Sequence, residues 1–534
     1  MNINKYKISI VAFLIAVLSL SSCYELDTEP ISETEVTSVS VFRNPESYKQ
    51  VLARLYAGLS IGGQEGPGSK EDIRGIDSGF GQFLRGYWMA QELTTDEALV
   101  SWNDQTIKNY HFQTWTSTDV FITALYYRVF YQIALTNEYI RETSEARLDD
   151  RGVTGTLREE IKMYRAEARF LRALSYWHGL DLFGNIPFVT DNDPVGGTFL
   201  PEQADRATIF AFIESELLDI EADLAAPRNN EYARADQAAA WMLLAKLYLN
   251  AEVYLGANQK KYTECITYCN KIIEAGYGLE QNYQYLFLAD NHLADEEIIF
   301  PIVFDGNNTR WYGGTTYIIA AALNGEWGDV KELFGTASAW GGNRTTKALV
   351  EKFPENDSDT RKMFWTEGHE LEIDDVADFF QGYGVVKFKN LTRNDVPGSD
   401  DTFVDTDFPM YRLADVYLMY AEAVLRGGTG GSMANAVNYI NLLRQRAYGD
   451  TSGNITQSNL TLDFIIDERA RELYWEAHRR TDLIRFGRFS QSDYVWPWKG
   501  AVRDGRSTNS KFNLFPIPAA DLGANPQLKQ NTGY

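Results

Sequence analysis

Few places in this sequence carry residue types and spacings that could do chemistry. Cys265 and Cys269 stand four apart in KYTECITYCNKIIEAGY, which reads as helix. A disulfide between adjacent turns of one helix is geometrically poor. With only 5 histidines scattered along the chain, the pair also lacks the further ligands of a metal site. Two small buried hydrophobes is the reading that remains. GQEGPGSK, residues 63–70, has the glycines of a phosphate loop. It ends in Ser-Lys instead of Lys-Ser/Thr, carries a repelling Glu65 and follows no apolar strand, so it is not one. Asp and Glu number 74, so the carboxylate pair of a glycoside hydrolase is available in principle, yet none lies in a catalytic context. The acidic loop from Asp290 to Glu297 offers oxygen donors for a structural calcium. Nucleophile–base motifs and dinucleotide fingerprints are absent.

The densest charge lies near the C-terminus. Arg469, Arg471, Arg479, Arg480, Arg485 and Arg488 alternate with Asp467, Glu468, Glu472, Glu476 and Asp482 on and just beyond one predicted helix, 461–486. Because acids nearly match bases, the composition favours carboxylate–guanidinium pairing over an anion-binding patch. Over the whole chain, 74 acidic minus 50 basic residues give −24. Nucleic acid and polyanionic glycans are therefore poor partners. The content of 12 Trp and 31 Tyr is high, which makes some of those rings candidates for more than filling a core.

The elements that must position any site are mostly helical. In MYRAEARFLRALSYWHGLDLFGNIPFV, Met163, Ala166, Phe170, Ala173, Trp177 and Leu180 recur at spacings of three and four, on one helical face. Arg165, Arg169 and Arg172 lie on another face, with Gly184 and Pro187 ending the helix. Further helices are expected at 45–59, 117–145, 205–225, 234–252, 260–275, 411–426 and 433–447. Pairs of this size suggest a tetratricopeptide-like solenoid, although that consensus is not met. Residues 61–82 read as a glycine-rich loop, and 297–304 and 383–389 as two strands that pair. Long loops rich in Gly, Asp, Asn and aromatics, 305–345 and 354–409, are of the kind that carries function. The fold class is mainly α: a helix-pair scaffold with long irregular loops and a few short strands.

The first 23 residues read as a targeting segment. Lys5 and Lys7 precede an apolar run, Ile8 to Leu20, too short to span a membrane, and Leu20-Ser21-Ser22-Cys23 follows. This resembles a bacterial lipobox, whose cysteine is acylated and becomes the mature N-terminus, here Cys23. The acidic Tyr24-Glu25-Leu26-Asp27 resembles the surface-export signal of Bacteroidetes lipoproteins. Residues 1–23 are thus expected to be the signal and 24–534 one domain, anchored at the cell surface without a transmembrane helix.

With RFLRALSYWHGLDLFGNIPFV, YRLADVYLMYAEAVLR, YINLLRQRA, IIDERARELYWEAHRRTDLIRFGRF and LFPIPAADLGANPQLKQNTGY in this order, the mature chain resembles the SusD/RagB family of surface glycan-binding lipoproteins. The resemblance implies four tetratricopeptide-like helix pairs, no catalysis, and a SusC-like TonB-dependent outer-membrane transporter as partner. It narrows to the family's starch-binding founding member. Trp102 in ELTTDEALVSWNDQ, Tyr312 in DGNNTRWYGGTTY and Trp340 in GTASAWGG fall on that protein's ligand-stacking residues. Asp77 and Arg85 stand at the spacings of two polar contacts, and Gln105 replaces an asparagine. These types suit a glucan: aromatic rings cover the C–H face of a sugar, and Asp, Arg or Gln bond its hydroxyls. Trp311 is either support or a further contact. The residues themselves leave open another neutral glycan such as dextran or a plant polysaccharide, a glycoside hydrolase drawing on the 74 acids, and a protein-interaction scaffold.

Overall fold

A computed structural model describes residues 38–534 apart from 69, 198 and 355–357. Cys23 and the expected signal lie outside the described residues. The chain divides into two units, 1–48 and 49–534. In the first, the described residues form a short helix at Ser38–Val41, followed by the rings of Phe42 and Tyr48 with centroids 5.0 Å apart.

The second unit is built of helices. After α1 (Glu46–Ser60), which belongs to it from residue 49 onward, come α2 (Phe83–Glu92), α3 (Val120–Glu142), α4 (Thr156–Phe183), α5 (Arg206–Ile220), α6 (Gln237–Leu249) and α7 (Tyr262–Glu274). The series continues with α8 (Gly314–Ala322), α9 (Leu413–Leu425), α10 (Met433–Tyr448), α11 (Leu462–Leu473) and α12 (Arg479–Arg485). Short polar side chains start many of them by accepting orphan N–H groups: Asp119 for α3, Asp205 for α5, Asp236 for α6, Ser432 for α10 and Thr461 for α11. Neighbours pack α3 on α4, α4 on α5, α6 on α7, and α9 on both α7 and α10.

On α4 the expected face is inside: Ala166, Phe170, Ala173, Trp177 and Leu180 are buried. Its arginines find carboxylates, Arg169 and Arg172 sharing Glu216 of α5 at 2.7 and 2.6 Å. Gly184 ends the helix at φ 78°, a conformation that costs a side chain more than it costs glycine. Cys265 and Cys269 are free and buried in α7, as small hydrophobes are.

Two expectations give way. The apolar run at Ile298–Ile302 (β2) does not pair with Gly384–Val385 (β5). It pairs antiparallel with Phe408–Arg412 (β6), while β5 pairs with Phe364–Trp365 (β4). Arg412 explains the choice. Its guanidinium bonds Glu297, just before β2, at 2.9 Å and Glu472 at 2.6 Å, which draws β6 onto β2 and delays α9 to Leu413. The helix expected over 461–486 is two helices, broken at 474–478. Trp475 and Ala477 take φ 65° and 62° there. Glu92 Oε1 accepts the N–H groups of Ala477 at 2.6 Å and His478 at 3.3 Å, and the Trp475 ring seats on Trp88 with centroids 5.1 Å apart. Long-range contacts outweigh helix propensity at this point.

The expected charge pairing is present and buried. Arg361 bonds Asp359, Glu468 and Glu472, Arg469 bonds Asp415 and Asp482, and Arg485 bonds Glu422 and Asp482. Arg480 differs: it lies 4.6 Å from the Phe515 ring centre and donates to the carbonyl of Asn513.

Candidate functional site

Four loops converge on one face, and local bonding explains why. Gln82 is the first clamp. Its Oε1 accepts from Arg85 N at 2.6 Å and from Gly314 N at 2.9 Å, and its Nε2 donates to Leu59 O. The loop carrying Trp311 and Tyr312 is thereby tied to the start of α2. Gly314, at φ 57°, allows this approach, because a Cβ there would lie 2.1 Å from the Phe304 ring.

The second clamp is a short ladder. Leu99–Val100 (β1) pairs antiparallel with Asn343–Arg344 (β3), and Ser101 N donates to Gly342 O at 3.0 Å. Trp102 is thereby laid against Gly342, where a Cβ would meet its Nε1 at 2.3 Å. Trp340 hangs from the end of α8, its N–H donating to Ala320 O at 2.7 Å, and forms a bridge with Asn324.

Three of the expected rings and one polar group thus gather. Tyr312 is 39% exposed, and its centroid lies 6.2 Å from Trp340 and 5.2 Å from Phe403. Arg85 Nη1 donates to Tyr312 O at 2.9 Å while its guanidinium stands 5.8 Å from the Trp102 ring centre. Trp102 and Trp340 are part-exposed. Asp77 is exposed on the adjoining loop and accepts from Gly79 N at 3.0 Å. Burial pulls the Arg85 guanidinium down to about 10, opposed by Tyr317, Asp77 and Asp104, so it stays charged at neutral pH. Gln105 is the outlier. It follows Trp102 by three residues, exposed at φ 30°, and its side chain makes no hydrogen bond among the described residues.

Trp311 proves to be support. It is buried beneath the site, with Nε1 donating to Ser78 O at 2.8 Å and its ring against Gly62. Residues that sequence reasoning missed hold the rest: Phe80 and Tyr317 flank Arg85 at 3.6 and 4.2 Å, and Phe403 backs Tyr312. Nothing in their sequence context separates them from core aromatics.

A part-exposed ring arc with a charged donor among it can cover sugar faces and bond hydroxyls. Asp77 and Asp104 are exposed carboxylates close enough to raise the Arg85 pKa. Glu92 and Glu97 are the most perturbed neighbouring acids: burial and Glu97 push Glu92 well above the carboxylate range, and burial pushes Glu97 up to about 7. Both are buried behind Trp88 and Trp475, out of reach of a polysaccharide. At the loop considered for calcium, Asp290 accepts from Arg393, and Glu297 pairs with Arg412 and Arg446. Those carboxylates are already neutralised, and among the described residues no cluster of three His, Cys, Asp or Glu is arranged for a metal. No described helix is long and apolar enough to cross a membrane.

Comparison with known proteins agrees with this architecture. Residues 374–534 match the SusD family, and residues 83–249 match a family described as starch-binding associating with outer membrane. The chain is 35% identical to the starch-binding protein SusD of Bacteroides thetaiotaomicron, over 98% of each chain. It is 24% identical to SusD-like protein P2 of Formosa agariphila, over 99% of this chain and 100% of that one. Among solved structures, a SusD homolog from Bacteroides thetaiotaomicron superposes with a TM-score of 0.71 at 21% identity, covering 94% of this chain and 99% of that one. Surface glycan-binding protein A of the same organism, in complex with laminarihexaose, gives 0.67 at 21% identity, covering 91% and 99%. The fold, the two matched segments and the full-length identity together place this chain in the SusD family of carbohydrate-binding, non-catalytic, outer-membrane-associated proteins.

Proposed function

We propose that this protein captures starch-like α(1→4) glucan at the cell surface and passes malto-oligosaccharides to a SusC-like TonB-dependent transporter. The observation that carries the reading is the gathering of Trp102, Tyr312 and Trp340 with Arg85, from two stretches, 85–102 and 312–340, that lie more than two hundred residues apart in sequence. Rings tilted by 55° to one another, as Tyr312 and Trp340 are, suit a curved ligand better than a flat one, and an α(1→4) glucan is itself helical. Full-length similarity to a protein named for starch binding supports the same substrate. In this reading the three rings stack on sugar faces, while Asp77, Arg85 and Gln105 bond hydroxyls. Anchoring through an acylated Cys23, followed by the single glycan-binding domain of residues 24–534, holds the site at the outer membrane.

Native gels containing starch, pullulan, dextran, xyloglucan, inulin or laminarin test the substrate. Retardation by starch and pullulan alone is the expected result. Retardation by laminarin or dextran without starch refutes the α(1→4) assignment and leaves a binding protein for another neutral glycan.

A further inference from the structure

We propose that Tyr317, a residue with no exposed surface, is the positioning residue of this site, with Phe80 as its counterpart across Arg85. The inference rests on the glycan-binding reading above and concerns how its polar donor is held. Many buried guanidiniums in this protein are fixed by carboxylates: Arg361, Arg412, Arg469, Arg479 and Arg485 each bond at least one, whereas Arg480 rests on the Phe489 and Phe515 rings and a backbone carbonyl. Arg85 too is buried without a bond to a carboxylate. Its one hydrogen-bonded side-chain nitrogen is Nη1, which donates to Tyr312 O; Nε has no partner, and Nη2 makes no hydrogen bond among the described residues. Rings hold it instead, its guanidinium carbon lying 3.6 Å from the centre of Phe80 and 4.2 Å from that of Tyr317. The difference has a chemical consequence. A carboxylate would fix the guanidinium by occupying its donors, whereas aromatic faces fix its plane and leave Nη2 for a neutral hydroxyl.

Tyr317 also reaches beyond Arg85. Its ring packs edge-on against Trp102, centroids 6.1 Å apart at 62°, and against Trp88 at 5.6 Å. Its Oη donates to Asn343 Oδ1 at 3.3 Å, and Asn343 pairs with Val100, two residues before Trp102. One buried side chain on α8 therefore sets the separation of a stacking ring and a hydrogen-bond donor that lie on different elements.

The test is a set of double-mutant cycles, using whichever glycan retards the native protein. Tyr317→Phe, Tyr317→Leu and Phe80→Leu are each made alone and with Arg85→Ala, and affinity is measured by titration calorimetry. Tyr317→Phe keeps the ring and is expected to stay within about twofold of wild type, since only one long hydrogen bond is lost. Each leucine variant is expected to lose about tenfold alone and about threefold or less beside Arg85→Ala, because contacting residues are not additive. The same fold-loss in both backgrounds, or unchanged affinity in Phe80→Leu, overturns the proposal. If Tyr317→Leu does not fold, Phe80→Leu at its part-exposed position carries the test alone. Wild-type protein that binds no glycan refutes the binding reading itself, a result distinct from additive cycles.

Discussion

Replacing Tyr312 with alanine separates a ligand platform from a packing role, because the two make opposite demands on affinity and stability. The side chain is 39% exposed. An aromatic residue buries ~150–250 Å² when covered, so roughly 60–90 Å² of Tyr312 remains for a sugar to cover. At about 25 cal/mol per Å² that area is worth about 1.5–2 kcal/mol. With about 1.4 kcal/mol per tenfold, affinity for maltoheptaose should fall about ten- to thirtyfold. The fold loses less. Tyr312 contributes ring contacts to Trp340 at 6.2 Å and Phe403 at 5.2 Å, and none of its side-chain atoms is a buried hydrogen-bonding group without a partner. Two such contacts are worth about 1–2 kcal/mol, which in a chain of this size moves the melting temperature by no more than about 3 °C. Calorimetric titration of Tyr312→Ala, Trp102→Ala and Trp340→Ala, each with a melting curve, decides the matter. Unchanged affinity in all three variants would falsify the platform and return the rings to packing.

Three further outcomes are expected. Cys23→Ala should release the protein from the membrane fraction, and a variant as firmly membrane-bound as wild type refutes the anchor. Folding raises the Glu97 pKa, chiefly by burial, to about 7, so its stabilising contribution is full below the unfolded carboxylate pKa and is lost as pH rises through about 7. Melting curves of Glu97→Gln should therefore fall less steeply between about pH 5 and pH 8 than those of wild type, and parallel pH profiles sink this account. Arg361→Ala strips the shared cation from Asp359, Glu468 and Glu472 in the interior and should cost about 3–5 kcal/mol in denaturant unfolding, a loss under about 1 kcal/mol being the contrary result.

How much of this could be read in the sequence follows from where each decision is made. Helix positions depend on apolar spacing and on caps such as Asp119, Asp205 and Asp236, which act within four residues, and these were legible. The break at 474–478 and the pairing of β2 with β6 depend on Glu92, Glu297 and Glu472 reaching partners 60 to 386 residues away. No local window contains that information. Composition announced that arginines and acids would pair, but not that Arg412 would choose Glu297 and so reassign a strand. The site divides along the same line. Trp102, Tyr312, Trp340 and Arg85 stood out through family resemblance, since loops carry no periodic pattern to betray them. Gly342 and Gly314 are small because an indole and a phenyl ring cross them, which only the folded neighbours reveal. Phe80 and Tyr317 look like any core aromatic until Arg85 is seen between them without a carboxylate. Because Phe80 and Tyr317 both lie against the Arg85 guanidinium, the three residues should behave as one unit under substitution.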